Sequence, residues 1–75
     1  MADTLTFGER AVGLSFNPSG SDSVHLLKST AASFIDACHE GRSLSDDPEV
    51  KRMYSLAITA AQEGQMWAVK AATWK

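Results

Sequence analysis

Asp46-Asp47-Pro48-Glu49, residues 46–49, decides the fold of this chain. An N-cap carboxylate, a proline in the first turn and a glutamate that favours the helix dipole together spell a helix start near Pro48. From there the sequence runs to about Trp74 without another proline, on a stripe of Val50, Met53, Tyr54, Ala57, Ala60, Ala61, Gly64, Trp67, Ala68 and Ala71. Upstream, Val24, Leu27, Ala31, Phe34, Ile35 and Cys38 step at three and four, which sets them on one face of a helix from Asp22 to about Glu40. Gly41 reads as its C-cap, and Arg42 to Ser45 as a short connector. Two long helices with so short a link fold back on each other as an antiparallel hairpin.

Further towards the N-terminus, Thr6-x-x-Glu9 has the spelling of a capping box, while Gly8 and Gly13 limit the segment to a short arm or single-turn helix. The loop from Ser15 to Gly20 breaks helicity, because Pro18 forces Asn17 away from helical dihedrals and Gly20 permits a positive φ. The expectation is a single all-α domain: an arm and loop over residues 1–20, a first long helix over 21–41 and a second over 46–74.

A chain of 75 residues buries a modest core and is marginal alone. Cys38 is its one cysteine, which excludes an internal disulfide, and no metal-ligand cluster is spelled. Oligomerisation is the remaining remedy. Ala57, Ala61, Gly64, Ala68 and Ala71 would let helices approach closely, and Gly64 costs about 1 kcal/mol relative to alanine mid-helix, so it marks a close backbone approach. Ile58, Met66, Val69 and both tryptophans lie on more than one side of the second helix and leave a second apolar surface for neighbouring copies. The expected assembly is a compact homo-oligomer.

The formal net charge is −2, with Arg10, Lys28, Arg42, Lys51, Arg52, Lys70 and Lys75 scattered without a basic stripe. That excludes DNA or a long RNA as partner and leaves a small anion compatible. No basic n-region or long apolar run is present, so a soluble, intracellular protein without signal peptide or membrane span is expected.

Catalytic constellations are absent from the reading. Cys38 and His39 are adjacent and point about 100° apart on a helix, and His25 lies roughly 21 Å along the axis from His39. Asp46, Asp47 and Glu49 are explained by capping, and Asp36, Glu40 and Glu63 by solvated faces. No catalytic residue, metal or cofactor is expected, and the chain does not read as an enzyme.

The loop Phe16-Asn17-Pro18-Ser19-Gly20 is different, since it runs into the helix start at Ser21-Asp22 and carries Lys28 two turns later. It gathers an aromatic ring, loop amides, a helix N-terminus and a cation near one point, which suits a phosphate with a base attached. Helical side chains tilt towards the N-terminus, and Lys28 is only about 10 Å along the axis from it, so the ammonium can reach back. Plainer readings stand beside these: Phe16 as a hydrophobic staple against Val24, and Lys28 as a solvated lysine. Trp67 and Trp74 share nearly one helical face and suit core or subunit packing, with base stacking as the alternative.

The succession Phe16 to Gly20, Leu27-Lys28, Ile35-Asp36, Ser55-Leu56-Ala57-Ile58-Thr59 and Gln65-Met66-Trp67-Ala68-Val69-Lys70-Ala71 resembles the phage anti-CBASS sponge proteins. Their helical-hairpin domain is shared with one class of anti-Thoeris sponges. The resemblance spans the chain from Arg10 onward. It implies a phage protein in the cytoplasm of the infected bacterial host, which sequesters cyclic oligonucleotides so that the defence effector is not activated. It further implies a homohexamer, with cyclic dinucleotides such as cyclic GMP-AMP held between two protomers. In that pattern Phe16 stacks on a base, Asn17 sits beside it and Lys28 contacts a phosphate; many members have tyrosine at the aromatic position. Arg10, Ser19, Thr59, Gln62 and Met66 complete the candidate set. Some members are also thought to bind cyclic trinucleotides through an arginine in the last helix, where this chain has Ile58 or Thr59, and isoleucine cannot pair with phosphate. The rival reading is a helical interaction module that docks a different protein through its second long helix.

Overall fold

The computed structural model describes residues 4–75. Its elements are α1 (Phe7–Ala11), α2 (Asp22–Leu44) and α3 (Pro48–Ala72), with no strand among the described residues. Thr6 and Glu9 close the capping box of α1: the Thr6 hydroxyl accepts from the Glu9 amide at 3.1 Å and the Glu9 carboxylate accepts from the Thr6 amide at 2.9 Å. Ser21 caps α2, and Asp47 caps α3 by accepting the Glu49 amide at 2.9 Å, with Pro48 in the first turn. Beside that cap the Arg52 guanidinium holds the exposed Glu49 carboxyl below its usual range through a 2.6 Å ion pair.

The first long helix does not stop at Gly41. It continues to Leu44, and Ser45 is the C-cap. Gly41 is instead a seat for the Tyr54 ring, since a Cβ there would stand 2.5 Å from Tyr54 Cζ. The helix absorbs the local cost of glycine because its last turn is fastened across the hairpin: Arg42 donates to the Ser55 hydroxyl and Lys51 donates to the Arg42 carbonyl, each at 3.0 Å.

α2 and α3 pack along their length, and α1 lies across α2. The molecule measures 44 × 32 × 12 Å, so its thin dimension is close to one helix diameter. A slab this thin has seams between helices rather than an enclosed interior. Its buried apolar residues are Val12, Val24, Ala32, Ile35, Cys38 and Ile58. The apolar stripe expected for α3 is covered along one edge only: Tyr54, Ala57 and Ala61 pack against the core, Met53, Ala60, Gly64, Trp67 and Ala71 are exposed, and Ile58, assigned above to the leftover surface, is the one buried residue of α3. The stripe is wider than one neighbouring helix can cover, and α2 meets the edge of it that Ile58 flanks. Phe34, assigned to the inner face of α2, is likewise exposed.

Ile35 is 0% exposed at the junction of the seams. Ile35→Ala is expected to lower unfolding stability by about 2–5 kcal/mol, read as a shift of the urea midpoint, because the deleted atoms leave a cavity that rigid helices close only in part.

Candidate functional site

The loop between α1 and α2 is shaped by two glycines in the left-handed region, Gly13 and Gly20, both at φ +65°. Phe16 N–H donates to the Gly13 carbonyl at 2.9 Å and Gly20 N–H to the Asn17 carbonyl at 3.0 Å, which makes two successive tight turns. Asn17 and Ser19 hold the second turn to the helix start. The Asn17 amide donates to the Ser21 carbonyl at 3.0 Å, the Ser19 hydroxyl donates to Asn17 Oδ1 at 2.8 Å, and Ser19 Oγ accepts the Ser21 amide at 3.2 Å. Ser21 in turn accepts the Val24 amide at 3.4 Å. The loop's own side chains thus take up part of the helix-end donor set, and Lys28 is the buried positive charge of the site, with Arg10 and Lys75 also on the cavities beside it.

Lys28 reaches back into this loop and is 6% exposed, not solvated. Its ammonium donates to the Gly13 carbonyl at 2.9 Å and to the Phe16 carbonyl, which leaves one of its three protons. No carboxylate among the described residues neutralises it, Arg52–Glu49 being the one ion pair there. The same ammonium lies 5.5 Å from the centroid of the Phe16 ring. That ring is 72% exposed, so it does not act as a staple buried against Val24.

Phe16, Lys28 and Val69 border two cavities. One, of about 360 Å³, is lined also by Asn17, Ser19, Val24 and Thr73. The other, of about 510 Å³, is lined also by Arg10, Gly13, Gln65 and Met66. The structure therefore brings Arg10, Asn17, Ser19 and Met66 to the Phe16–Lys28 pair. Thr59 and Gln62 lie apart, in a groove of about 670 Å³ along α3 that Met66 also borders. Gln62 donates to the Ala11 carbonyl at 3.3 Å and so ties α3 to the end of α1. Ile58 is buried in the helix seam and Thr59 exposed on the groove.

Gln65, Val69 and Thr73 escaped the sequence reading as site residues. They are four apart along α3 and its C-cap, a single helical stripe, and an antiparallel hairpin carries the end of α3 to the start of α2. That spacing was the available signal.

Two polar side chains outside this cluster have structural partners. Asp36, read above as solvated, accepts the buried Gly8 amide at 2.7 Å. His39 stacks on Phe7 with centroids 4.1 Å apart and rings 5° from parallel, and its Nδ1 faces Arg42 at 3.0 Å. An arginine only donates, so His39 Nδ1 is an acceptor there. Cys38 is buried in the core. No group of residues suited to a metal ion occurs among the described residues, and no helix among them is long and apolar enough to cross a membrane. A Cβ added at Gly64 would meet nothing within 4 Å, so the close approach inferred for it is not made within the protomer.

No curated protein and no solved structure matches this chain. A family model described as the Acb2/Tad1 hairpin domain matches residues 9–73, which takes in α2, α3 and the loop that carries Phe16. The protein belongs to the Acb2/Tad1 hairpin-domain family, the anti-CBASS and anti-Thoeris sponges that its sequence resembles.

Proposed function

We propose that the protein is a non-enzymatic phage sponge that binds cyclic dinucleotides such as cyclic GMP-AMP in the cytoplasm of the infected host and thereby keeps CBASS effectors inactive. The observation that carries this reading is the Lys28–Phe16 pair: a buried ammonium with no carboxylate partner among the described residues, 5.5 Å from the centroid of an exposed ring that borders two cavities. A phosphate supplies the missing negative charge and a nucleobase covers the ring. Asn17 and Ser19 fix the loop, and Arg10 stands at the rim. Neither the buried Ile58 nor the neutral Thr59 supplies the charge of the arginine that the trinucleotide site uses, so the dinucleotide is the preferred ligand class.

In this reading the functional unit is a compact hexamer whose pockets are completed by a neighbouring protomer. The slab leaves Phe34, Met53, Leu56, Met66, Trp67 and Trp74 exposed, large apolar side chains that neighbouring protomers would bury. Light scattering is expected to give the mass of six 8.1 kDa chains. A monomer or dimer would instead favour the rival reading, in which that surface docks a different protein.

Titration calorimetry with cyclic GMP-AMP tests the binding, and chromatography of the ligand recovered after denaturation is expected to return it intact. Absence of heat with every cyclic dinucleotide would overturn the proposal. Phe16→Ala is expected to weaken binding by roughly 5- to 150-fold, the range for one lost base stack, while leaving the melting temperature nearly unchanged because the ring is 72% exposed.

A further inference from the structure

We propose that Gln65 reads the base of the bound nucleotide, accepting a hydrogen bond from its exocyclic amino group; this rests on the sponge reading above. Gln65 Oε1 is buried and has no hydrogen-bond partner among the described residues, the one side-chain atom of its kind there. An acceptor shut away from water without a donor is a cost that native proteins seldom carry, and a ligand donor removes it. Its position says which ligand group that is. Gln65 lines the 510 Å³ cavity together with Phe16 and Lys28, so a base laid on the Phe16 ring, with its phosphate drawn to the Lys28 ammonium, shares that space with the Gln65 side chain.

The chemistry of the amide narrows the donor. Lys28 already supplies the positive charge that a phosphate needs, whereas a glutamine carbonyl repels phosphate oxygen and pairs with an N–H edge. The amino groups of adenine, guanine and cytosine offer that edge, and adenine can also accept from the glutamine NH₂ at N7. Hypoxanthine and uracil carry no exocyclic amine. Gln65 therefore makes the pocket discriminate by the presence of an amino group, a role distinct from the affinity supplied by Phe16 and Lys28.

The test compares cyclic di-AMP with cyclic di-IMP, in which oxygen replaces the 6-amino group, by titration calorimetry of the wild type and Gln65→Met. The wild type is expected to bind cyclic di-AMP about tenfold or more tightly than cyclic di-IMP, and Gln65→Met to bind the two equally. Methionine keeps the volume and removes the orphaned acceptor, so the ligand-free variant is expected to melt no lower than the wild type. Equal binding of the two ligands by the wild type, or an unchanged preference in Gln65→Met, overturns the assignment of Gln65 and leaves the sponge reading standing. Binding of neither ligand, nor of any other cyclic dinucleotide, by the wild type removes the sponge reading itself.

Discussion

Lys28→Met is expected to weaken cyclic dinucleotide binding by about 100-fold or more in titration calorimetry, close to 3 kcal/mol. Two losses combine in that figure. The variant removes the buried charge-assisted donor of the site, and it frees the loop carbonyls of Gly13 and Phe16 that the ammonium holds. The second loss is visible without ligand, because the Phe16 amide donates to the Gly13 carbonyl across the same turn. Amide hydrogen exchange at Phe16 is expected to accelerate in Lys28→Met while the amides at the middle of α2 keep their protection. An unchanged affinity would show that the ammonium serves the loop alone. Weaker binding with unchanged loop exchange would assign it to the ligand alone. Methionine is preferred to alanine because Lys28 is 6% exposed, and a shorter residue would add a cavity to the loss of charge.

Gly8→Ala is expected to destabilise the fold strongly. A Cβ at position 8 would lie 2.2 Å from the Ala32 carbonyl oxygen and 2.9 Å from Asp36 Oδ1, and the first of these is helix backbone that cannot move aside. To accept it, α1 must lift from α2. The lift breaks the 2.7 Å bond from the Gly8 amide to Asp36, parts the stacked Phe7 and His39 rings and opens the cover over Val12. The expected loss is about 3 kcal/mol or more, a fall in melting temperature of roughly 12–24 °C for a domain of this size. Gly64→Ala is the matched control. Nothing stands within 4 Å of its Cβ in the protomer, so the substitution should stabilise an isolated chain by about 1 kcal/mol through helix propensity. If it instead dissociates the assembly, the close approach at Gly64 belongs to the contact between subunits.

Local signals carried over faithfully wherever a residue acts on its immediate neighbours. The capping box of Thr6 and Glu9, the Asp47-Pro48 helix start and the turn that ends at Gly20 each depend on groups within a few residues, so their chemistry is written in adjacent letters. Glycine was the exception. Gly41 spells a helix end, yet its missing side chain makes room for Tyr54, thirteen positions away, and propensity cannot distinguish a cap from a seat. Gly8 was read as a helix weakener, and the structure shows it as the contact point of α1 on α2.

The candidate site divides along the same line. Phe16, Asn17, Ser19 and Lys28 are joined by a short loop and two helical turns, and helix geometry by itself points Lys28 back at the loop. What tertiary structure decided is the state of those groups: Lys28 buried and shared between two carbonyls, Phe16 exposed, and Gln65, Val69 and Thr73 brought against them from the far end of the chain.

By itself the sequence determined an all-α hairpin, its helix starts and the aromatic and cationic pair of its loop, because periodicity and capping are properties of near neighbours. Which face of α3 is buried, where α2 ends and which distant side chains close the cavity were decided by packing, because an α3 stripe wider than one helix leaves the choice of covered edge to the partner that lies against it.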